Sequence, residues 1–547
     1  VQISPNQRSP AANKQRESAP ISAPLETKMS ERSIKEKLPI FLRKKMIISH
    51  YKSLIALLTL TFLFSCKQEN KPLSDILPNE VVPTPSQVAY QQMELIGFIH
   101  FTINTFTDKE WGYGDESPEL FNPTQLDVEQ WVTTAKAAGM KQLILTAKHH
   151  DGFCLWPSQY TEHSIQNSPY KNGEGDVVRE FVEACRKHGL KIGLYLSPWD
   201  RNHADYGTPT YITYYRNQLE ELLTQYGEIN EIWFDGAQGG DGYYGGAKEV
   251  RRIDRKTYYD WPATIQMVKQ WQPDIKIFSD AGPDVHWIGN EKGFAGETFW
   301  STIRRDSLVI GASDQQYLNT GDPEGKSWIV GQCDVSIRPG WFYHESQDSL
   351  VKSPQELMDI YYKSVGRNAI LLLNLPPDQR GLIHEKDVES LLSFKQILEE
   401  TFKENLILGA TCTADPPTKN QVFSAEKAID EAPQTYWAAP DTSLPVSLII
   451  DLGKEKTFDR LMLQEPIWLG QRVSEFRIWV EQDGDWEEVT SGTTIGYKRL
   501  LRMEPITTSK VKVEITGANN QVAISNIAMF KASTEENRTA NFSLPGK

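Results

Sequence analysis

Between residues 95 and 395, short apolar runs alternate with amphipathic stretches, and nothing else in the 547-residue chain restricts its fold as tightly. The runs are IGFIHFTI (96–103), QLILTA (142–147), KIGLYLS (191–197), EIWFD (231–235), KIFSD (276–280), SWIVG (327–331) and AILLLNL (369–375). Each is short enough for a strand, and apolar enough to be buried on both faces as parallel strands are. Two intervening stretches, DVEQWVTTAKAAG and DVVREFVEACRKHG, start on Asp and close on Gly139 and Gly189. Asp offers an acceptor to the first free amides of a helix, and Gly takes the left-handed turn at its end. Strands alternating with helices argue for a parallel sheet. Seven or eight such repeats favour a (β/α)8-type barrel over an open sheet, and no Gly-rich dinucleotide fingerprint supports the latter.

After about residue 405 the pattern changes. SLIIDLG, FDRLMLQE, SEFRIWVEQDGDWEEV, SKVKVEIT and AISNIAMFKA are short alternating runs at tight spacing, the mark of an all-β sandwich. The expected layout is a barrel over 86–404, a sandwich over 405–532 and a tail over 533–547, with Phe394 to Asn405 as last barrel helix and junction.

Upstream, MIISHYKSLIALLTLTFLFSCKQEN has a basic start, with Lys44, Lys45 and Lys52, and an apolar run from Leu54 to Phe64. That run is short for a membrane span. LFSC resembles a bacterial lipobox, in which Cys66 carries the lipid. Residues 46–65 then read as a lipoprotein signal peptide, 66–85 as a tether and 1–45 as an unpatterned upstream segment. The protein is expected at the bacterial cell envelope, on the periplasmic side or the outer-membrane surface. The rival reading is an uncleaved signal anchor.

A net charge of −14 argues against nucleic acid as a partner. The five cysteines are widely spaced, odd in number and without C-x-x-C, which excludes a zinc ribbon and speaks against a disulfide framework. Aromatic residues are plentiful, with 15 Trp and 21 Tyr. Their faces stack on sugar rings as well as packing cores.

LTAKHHDGFCLWPS (145–158) switches polarity abruptly: an apolar strand ends in Lys148, His149, His150 and Asp151. Adjacent strand residues face opposite sides, so both histidines serve one site only where the strand stops. In a barrel the active site lies at that end of the strands. His100, Tyr195 with Trp199 and Asp200, and Trp233 with Asp235 end other strands in the same way. Each alone has a structural reading; their coincidence on one rim points to a site. The histidines lack H-x-H or H-E-x-x-H spacing, which speaks against a catalytic metal. No G-x-S-x-G elbow or cofactor motif appears, and no cofactor is expected. Two carboxyl groups are the alternative. Asp235 opens a loop before Gly236, and GPDVHWIGNEKGFAGETFW supplies Glu291 and Glu297. Such a pair serves a retaining glycosidase. The residues alone leave open which glutamate enters the cleft.

Over roughly residues 85–395 the chain resembles glycoside hydrolase family 29, the α-L-fucosidases. The matching motifs are GFIHFTINTFTDKEWGYGDESPELFNP, KHHDGFCLWPS, GLYLSPWD, EIWFDG, GPDVHWIGNEKG and DVSIRPGWFYH, in family order. The resemblance implies a retaining mechanism with Asp235 as nucleophile, and GNE after VHW favours Glu291 as acid/base, in surroundings apolar enough to keep it protonated. It carries fucose contacts to His100, Glu110, Trp111, His149, His150, Tyr195 and Trp233. It also implies an aromatic wall beside the fucose methyl, with Trp111, Trp156 and Trp233 as candidates. Fucosylated oligosaccharides or glycoconjugates are the expected partners. DKEWGYGDESPELFNP and IHFT look more like the branch acting on α-1,3 and α-1,4 linkages. Residues 239–261, rich in Gly and Tyr, are placed to touch the rest of the glycan or to form a mobile loop. Residues 405–532 resemble discoidin-like carbohydrate-binding modules, with a structural cap as the alternative. A glycosidase of other sugar specificity and a silent fucose-binding surface protein remain as other readings.

Overall fold

The computed structural model describes residues 76–537 apart from Lys419. Residues 1–45, the stretch 46–65 expected as a signal peptide, Cys66 and the first half of the expected tether therefore lie outside the described residues, as does the tail beyond 537.

Eight parallel strands close into a barrel: β1 Leu95–Ile99, β2 Gln142–Lys148, β3 Lys191–Leu196, β4 Glu231–Trp233, β5 Lys276–Ser279, β6 Val285–Trp287, β7 Val330–Ser336 and β8 Ile370–Asn374. Each strand pairs with the next in sequence, and β8 closes on β1 through Leu95–Leu371 to Phe98–Asn374. The two helices expected from sequence form as Val128–Ala137 and Val177–His188. Asp127 and Asp176 accept from Gln130 N and Arg179 N, and Gly189 closes the second helix at φ +72°. Their apolar faces join Leu143, Leu145 and Leu194 in a core between strands and helices.

Two strand readings change. No strand was expected at Val285–Trp287, which lies in a stretch read as loop; only Asp280–Asp284 separates it from β5, so no crossover helix announces it. The run 327–331 is not one strand. Ser327–Trp328 pairs outside the barrel with Thr302–Ile303, and β7 starts at Val330. The last barrel helix also starts earlier, at Glu385, and runs to Thr401.

The barrel interior is a separate cluster, with Ile96 and Phe98 from β1, Tyr195 from β3, Trp233 from β4, Phe278 from β5 and Leu372 from β8. Strand alternation makes i and i+2 share this inner face. Glu231, Trp233 and Asp235 thus climb one column of the barrel wall, from buried base to open top.

The second domain is an antiparallel sandwich whose main sheet runs Thr411–Asp415, Val446–Gln464, Arg499–Ala518, Val473–Gln482 and Asp485–Gly492, with Asn526–Phe530 on the second strand. A polar seam joins it to the barrel: Gln471 accepts from Ser301 N and donates to Phe299 O, and Tyr497 donates to Glu94. Cys154, Cys185, Cys333 and Cys412 are buried free thiols.

Candidate active site

A cavity of about 320 Å³ opens at the C-terminal ends of the barrel strands. Its wall follows the two-residue period: Phe98 and His100, Trp233 and Asp235, Phe278 and Asp280 line it in pairs. Trp111, His149, His150 and Tyr195 complete one side, and Trp287, Glu291, Asp334 and Trp341 also face the space. The two histidines that end β2 converge there because the strand has stopped.

All three imidazoles are neutral. Burial pushes His100 down to about 3. It does the same to His150, helped by the Arg201 charge. His149 falls well below its usual range through burial and then its neighbour His150. Their tautomers follow from their partners. Asn374 donates its amide to Ser336 Oγ and Trp341 O, so its Oδ1 accepts from His100 Nδ1 at 2.8 Å. Ser197 gives its proton to Trp199 O, so it accepts from His150 Nδ1 at 2.6 Å. Nε2 of both rings is thereby an acceptor, that of His150 lying 3.8 Å from Asp235 Oδ2. His149 Nδ1 is buried with no partner in the protein. An unpaired buried polar atom is costly, and a hydroxyl-bearing ligand would satisfy His149 Nδ1.

Asp235 is fixed twice: Tyr195 Oη donates to Oδ2 at 2.9 Å and Ala237 N donates to Oδ1 at 2.6 Å. Burial raises its carboxyl to about 6 against those two bonds, and the Glu291 and Asp280 charges add to the rise. It is therefore ionised at neutral pH. Glu291 reaches the same cavity from the loop after β6 and accepts from Trp341 Nε1 at 3.2 Å. The apolar enclosure expected around Glu291 is absent: the residue is exposed on the cavity rim.

The α-L-fucosidase family profile matches residues 85–401, and an F5/8 type C domain profile matches 410–530. The chain belongs to the α-L-fucosidase family, glycoside hydrolase family 29. Alpha-L-fucosidase 1 of Arabidopsis thaliana is 42% identical over 461 residues, 83% of this chain and 88% of that protein. A glycoside hydrolase 29 structure from an unknown rumen bacterium is 44% identical at TM-score 0.76, covering 85% of this chain and 79% of that one. A Ruminococcus gnavus family 29 fucosidase in complex with fucose is 35% identical at TM-score 0.75, covering 85% and 97%.

This α-L-fucosidase departs from the expected site at several residues. Glu110 does not line the cavity; it accepts from Trp341 N at 2.8 Å and His344 Nε2 at 2.6 Å, and so holds the loop that carries Trp341. Trp156 is not a cavity wall either, because its indole is buried and donates to Glu221 at 2.9 Å. Trp111, 49% exposed, and Trp233, stacked 3.9 Å from Phe278, do line it. Glu297 is out of the cavity, paired with Arg367 and Arg499 at the seam to the sandwich. Trp199 and Asp200 serve the wall from behind: Asp200 binds buried Lys148 at 3.1 Å.

The 239–261 insertion folds into a hairpin, Gly240–Gly242 against Glu249–Arg251, that stays outside the cavity lining. Arg201 ties it to the Trp111 loop, pairing with Asp241 at 2.9 Å and donating to Trp111 O and Gly112 O. Asp280 and Asp334 were missed by sequence reasoning. Asp280 accepts from Gly311 N with both oxygens at 2.9 Å, which pins the loop bearing Gly311 to Ser313 at the cavity.

Proposed function

We propose that this α-L-fucosidase removes terminal L-fucose by a retaining double displacement, with Asp235 as nucleophile and Glu291 as acid/base. The observation that carries this reading is that both carboxylates line one small cavity, Asp235 locked by two donors and Glu291 on the open rim. Asp235 attacks the anomeric carbon while Glu291 protonates the departing oxygen; Glu291 then activates water that releases fucose with its configuration kept. The locked Asp235 is pre-aimed, and the rim position of Glu291 leaves it access to leaving group and water. The three neutral imidazoles accept from fucose hydroxyls, Tyr195 holds the nucleophile, and Trp233 and Phe278 give an apolar wall for the methyl group. A volume of about 320 Å³ suits one sugar ring with its leaving group at the mouth. The fucose-bound relative supports the sugar assignment.

The DKEWGYGDESPELFNP and IHFT motifs favour α-1,3- and α-1,4-linked branches as substrates. We also propose attachment to the bacterial envelope through a lipid on Cys66. The test of the reaction is proton NMR of the first product released from fucosylated oligosaccharides of defined linkage. Initial α-L-fucose from α-1,3 and α-1,4 substrates is the expected result. Initial β-L-fucose would exclude retention, and preferred release from α-1,2 linkages would exclude the branch.

A further inference from the structure

The reaction above leaves two cavity carboxyl groups unused, Asp280, whose oxygens both accept from Gly311 N, and Asp334. Asp334 lies on β7, inward by the two-residue period from Gln332. Pairing between β6 and β7 ends at Trp287–Gln332, and Ile288 N then donates to Gln332 O at 3.1 Å. Asp334 therefore stands one inward step above the last strand pair, level with the loop 288–291 that brings in Glu291. Its neighbour on β8 is Leu372, which offers no charge.

The group is 3% exposed yet lines the cavity. Trp287 Nε1 donates to Oδ1 at 2.8 Å. The carboxyl groups that act on it most strongly are Glu291 and then Asp235, and both raise its proton affinity. One indole donor and its own backbone amide do not compensate a carboxylate buried beside two other carboxyl groups. Burial, then Glu291, accordingly raises its proton affinity well above the usual carboxylate range. With Oδ1 taken by Trp287, the proton resides on the other oxygen, where it forms a donor.

We propose that Asp334 is a specificity-determining residue that meets the leaving-group sugar as a neutral carboxylic acid, donating a hydrogen bond beside Glu291. This rests on the fucosidase reading above. Nε2 of His100 and of His150 accept and Asp235 is an anion, so Asp334 adds a donor, beside Glu291, for a ring or hydroxyl oxygen of the departing sugar. A carboxylic acid held neutral by its site so that it can donate is an established device in enzymes.

The test compares kcat/KM of wild type, Asp334→Asn, Asp334→Ser and Asp334→Ala on a fucosylated trisaccharide and on a 4-nitrophenyl fucoside, whose leaving group bears no sugar hydroxyl. Asparagine keeps both the acceptor for Trp287 and a neutral donor, so Asp334→Asn should stay within about threefold on both substrates. Asp334→Ala should lose about tenfold or more on the trisaccharide and under about threefold on the aryl fucoside. Serine, which also keeps the wall polar, gives the same comparison if alanine does not fold. The alkaline limb of the pH profile should stay in place in Asp334→Asn, because no charge is removed. A shift of that limb to lower pH would mean an ionised Asp334 next to Glu291 and would overturn the proposal. Equal losses on the two substrates would overturn it as well. Failure of the wild type to cleave either substrate strikes the fucosidase reading instead, so the two ideas fail separately.

Discussion

Tyr195 donates its hydroxyl to Oδ2 of Asp235 at 2.9 Å. They meet because Tyr195 pairs with Trp233 across β3 and β4, and Asp235 is the next inward residue above Trp233. This bond favours the ionised carboxylate, while burial opposes it and leaves Asp235 at about 6. A nucleophile must be ionised, so kcat/KM should fall as pH drops through about 6. Tyr195→Phe removes the favourable bond, so that acidic limb should move to higher pH, and turnover at pH 7 should fall roughly tenfold. A pH–rate profile of the variant decides it; an unmoved limb would assign the limb to another group.

The same raised carboxyl makes a stability prediction of opposite sign. The unfolded residue ionises near 3.8 and the folded one at about 6, so stability declines as pH rises between them and stays lower above. Asp235→Asn removes that penalty but leaves one amide oxygen for two donors, so the net gain at pH 7 should be about 1–2 kcal/mol. Thermal unfolding should show a higher Tm than wild type at pH 7 and no gain below about pH 4, where both forms are protonated. Turnover should drop by several orders of magnitude, since the covalent route is lost. Near-normal turnover would refute the assignment of Asp235.

The sequence made the rim visible because polarity changes sharply where buried strands end, and a period of two carries Trp233 to Asp235 and Phe98 to His100. It concealed Asp334 for the same reason. With SWIVG taken as the strand, Asp334 fell past its end, whereas GQCDVS in fact lies inside β7. Val285–Trp287 escaped because three residues next to Gly282 and Pro283 carry no period. Trp156 and Glu110 sit close in sequence to true cavity residues, yet their side chains turn toward Glu221 and the Trp341 loop. Such directions depend on partners distant in the chain, which adjacency does not report.

The histidines give a prediction about what pH and metals do not do. His100 and His150 are pushed down to about 3 and His149 well below its usual range, so none should add a titration to the profile between pH 5 and 8. His149→Ala removes an acceptor whose Nδ1 has no protein partner, and should weaken fucose inhibition about tenfold or more while sparing the fold. Among the described residues no cluster of His, Cys, Asp and Glu has metal-site geometry. Chelator should therefore leave activity unchanged. Zinc-dependent recovery of a chelated sample would instead make the histidines ligands.

Cys66→Ser tests the anchor. The substitution should shift the protein from the membrane to the soluble fraction of the producing cell and leave hydrolysis within about twofold, because the proposed reaction uses no group of Cys66. Retention of the variant in the membrane fraction would favour the uncleaved apolar segment over lipid attachment.

Glu291 and Glu297 are six residues apart in one loop, and only geometry separates them. Glu291 lines the cavity with Asp235, whereas Glu297 pairs with Arg367 and with Arg499, whose guanidinium is pushed down to about 10 by burial. A general acid matters most for a poor leaving group. Glu291→Ala should therefore lose about a hundredfold or more on oligosaccharides yet retain the first step on an aryl fucoside with a good leaving group. Azide should restore its turnover by attacking the β-linked intermediate, and that inversion yields the α-fucosyl azide. In Asp235→Ala the rescue has only one displacement and yields the β-fucosyl azide. Glu297→Ala should keep turnover on both substrates within about threefold and cost about 1 kcal/mol of stability through the loosened seam. The anomeric configuration of the two azides, read by NMR, assigns both carboxylates at once; azide rescue in Glu297→Ala and not in Glu291→Ala would exchange the glutamates' roles.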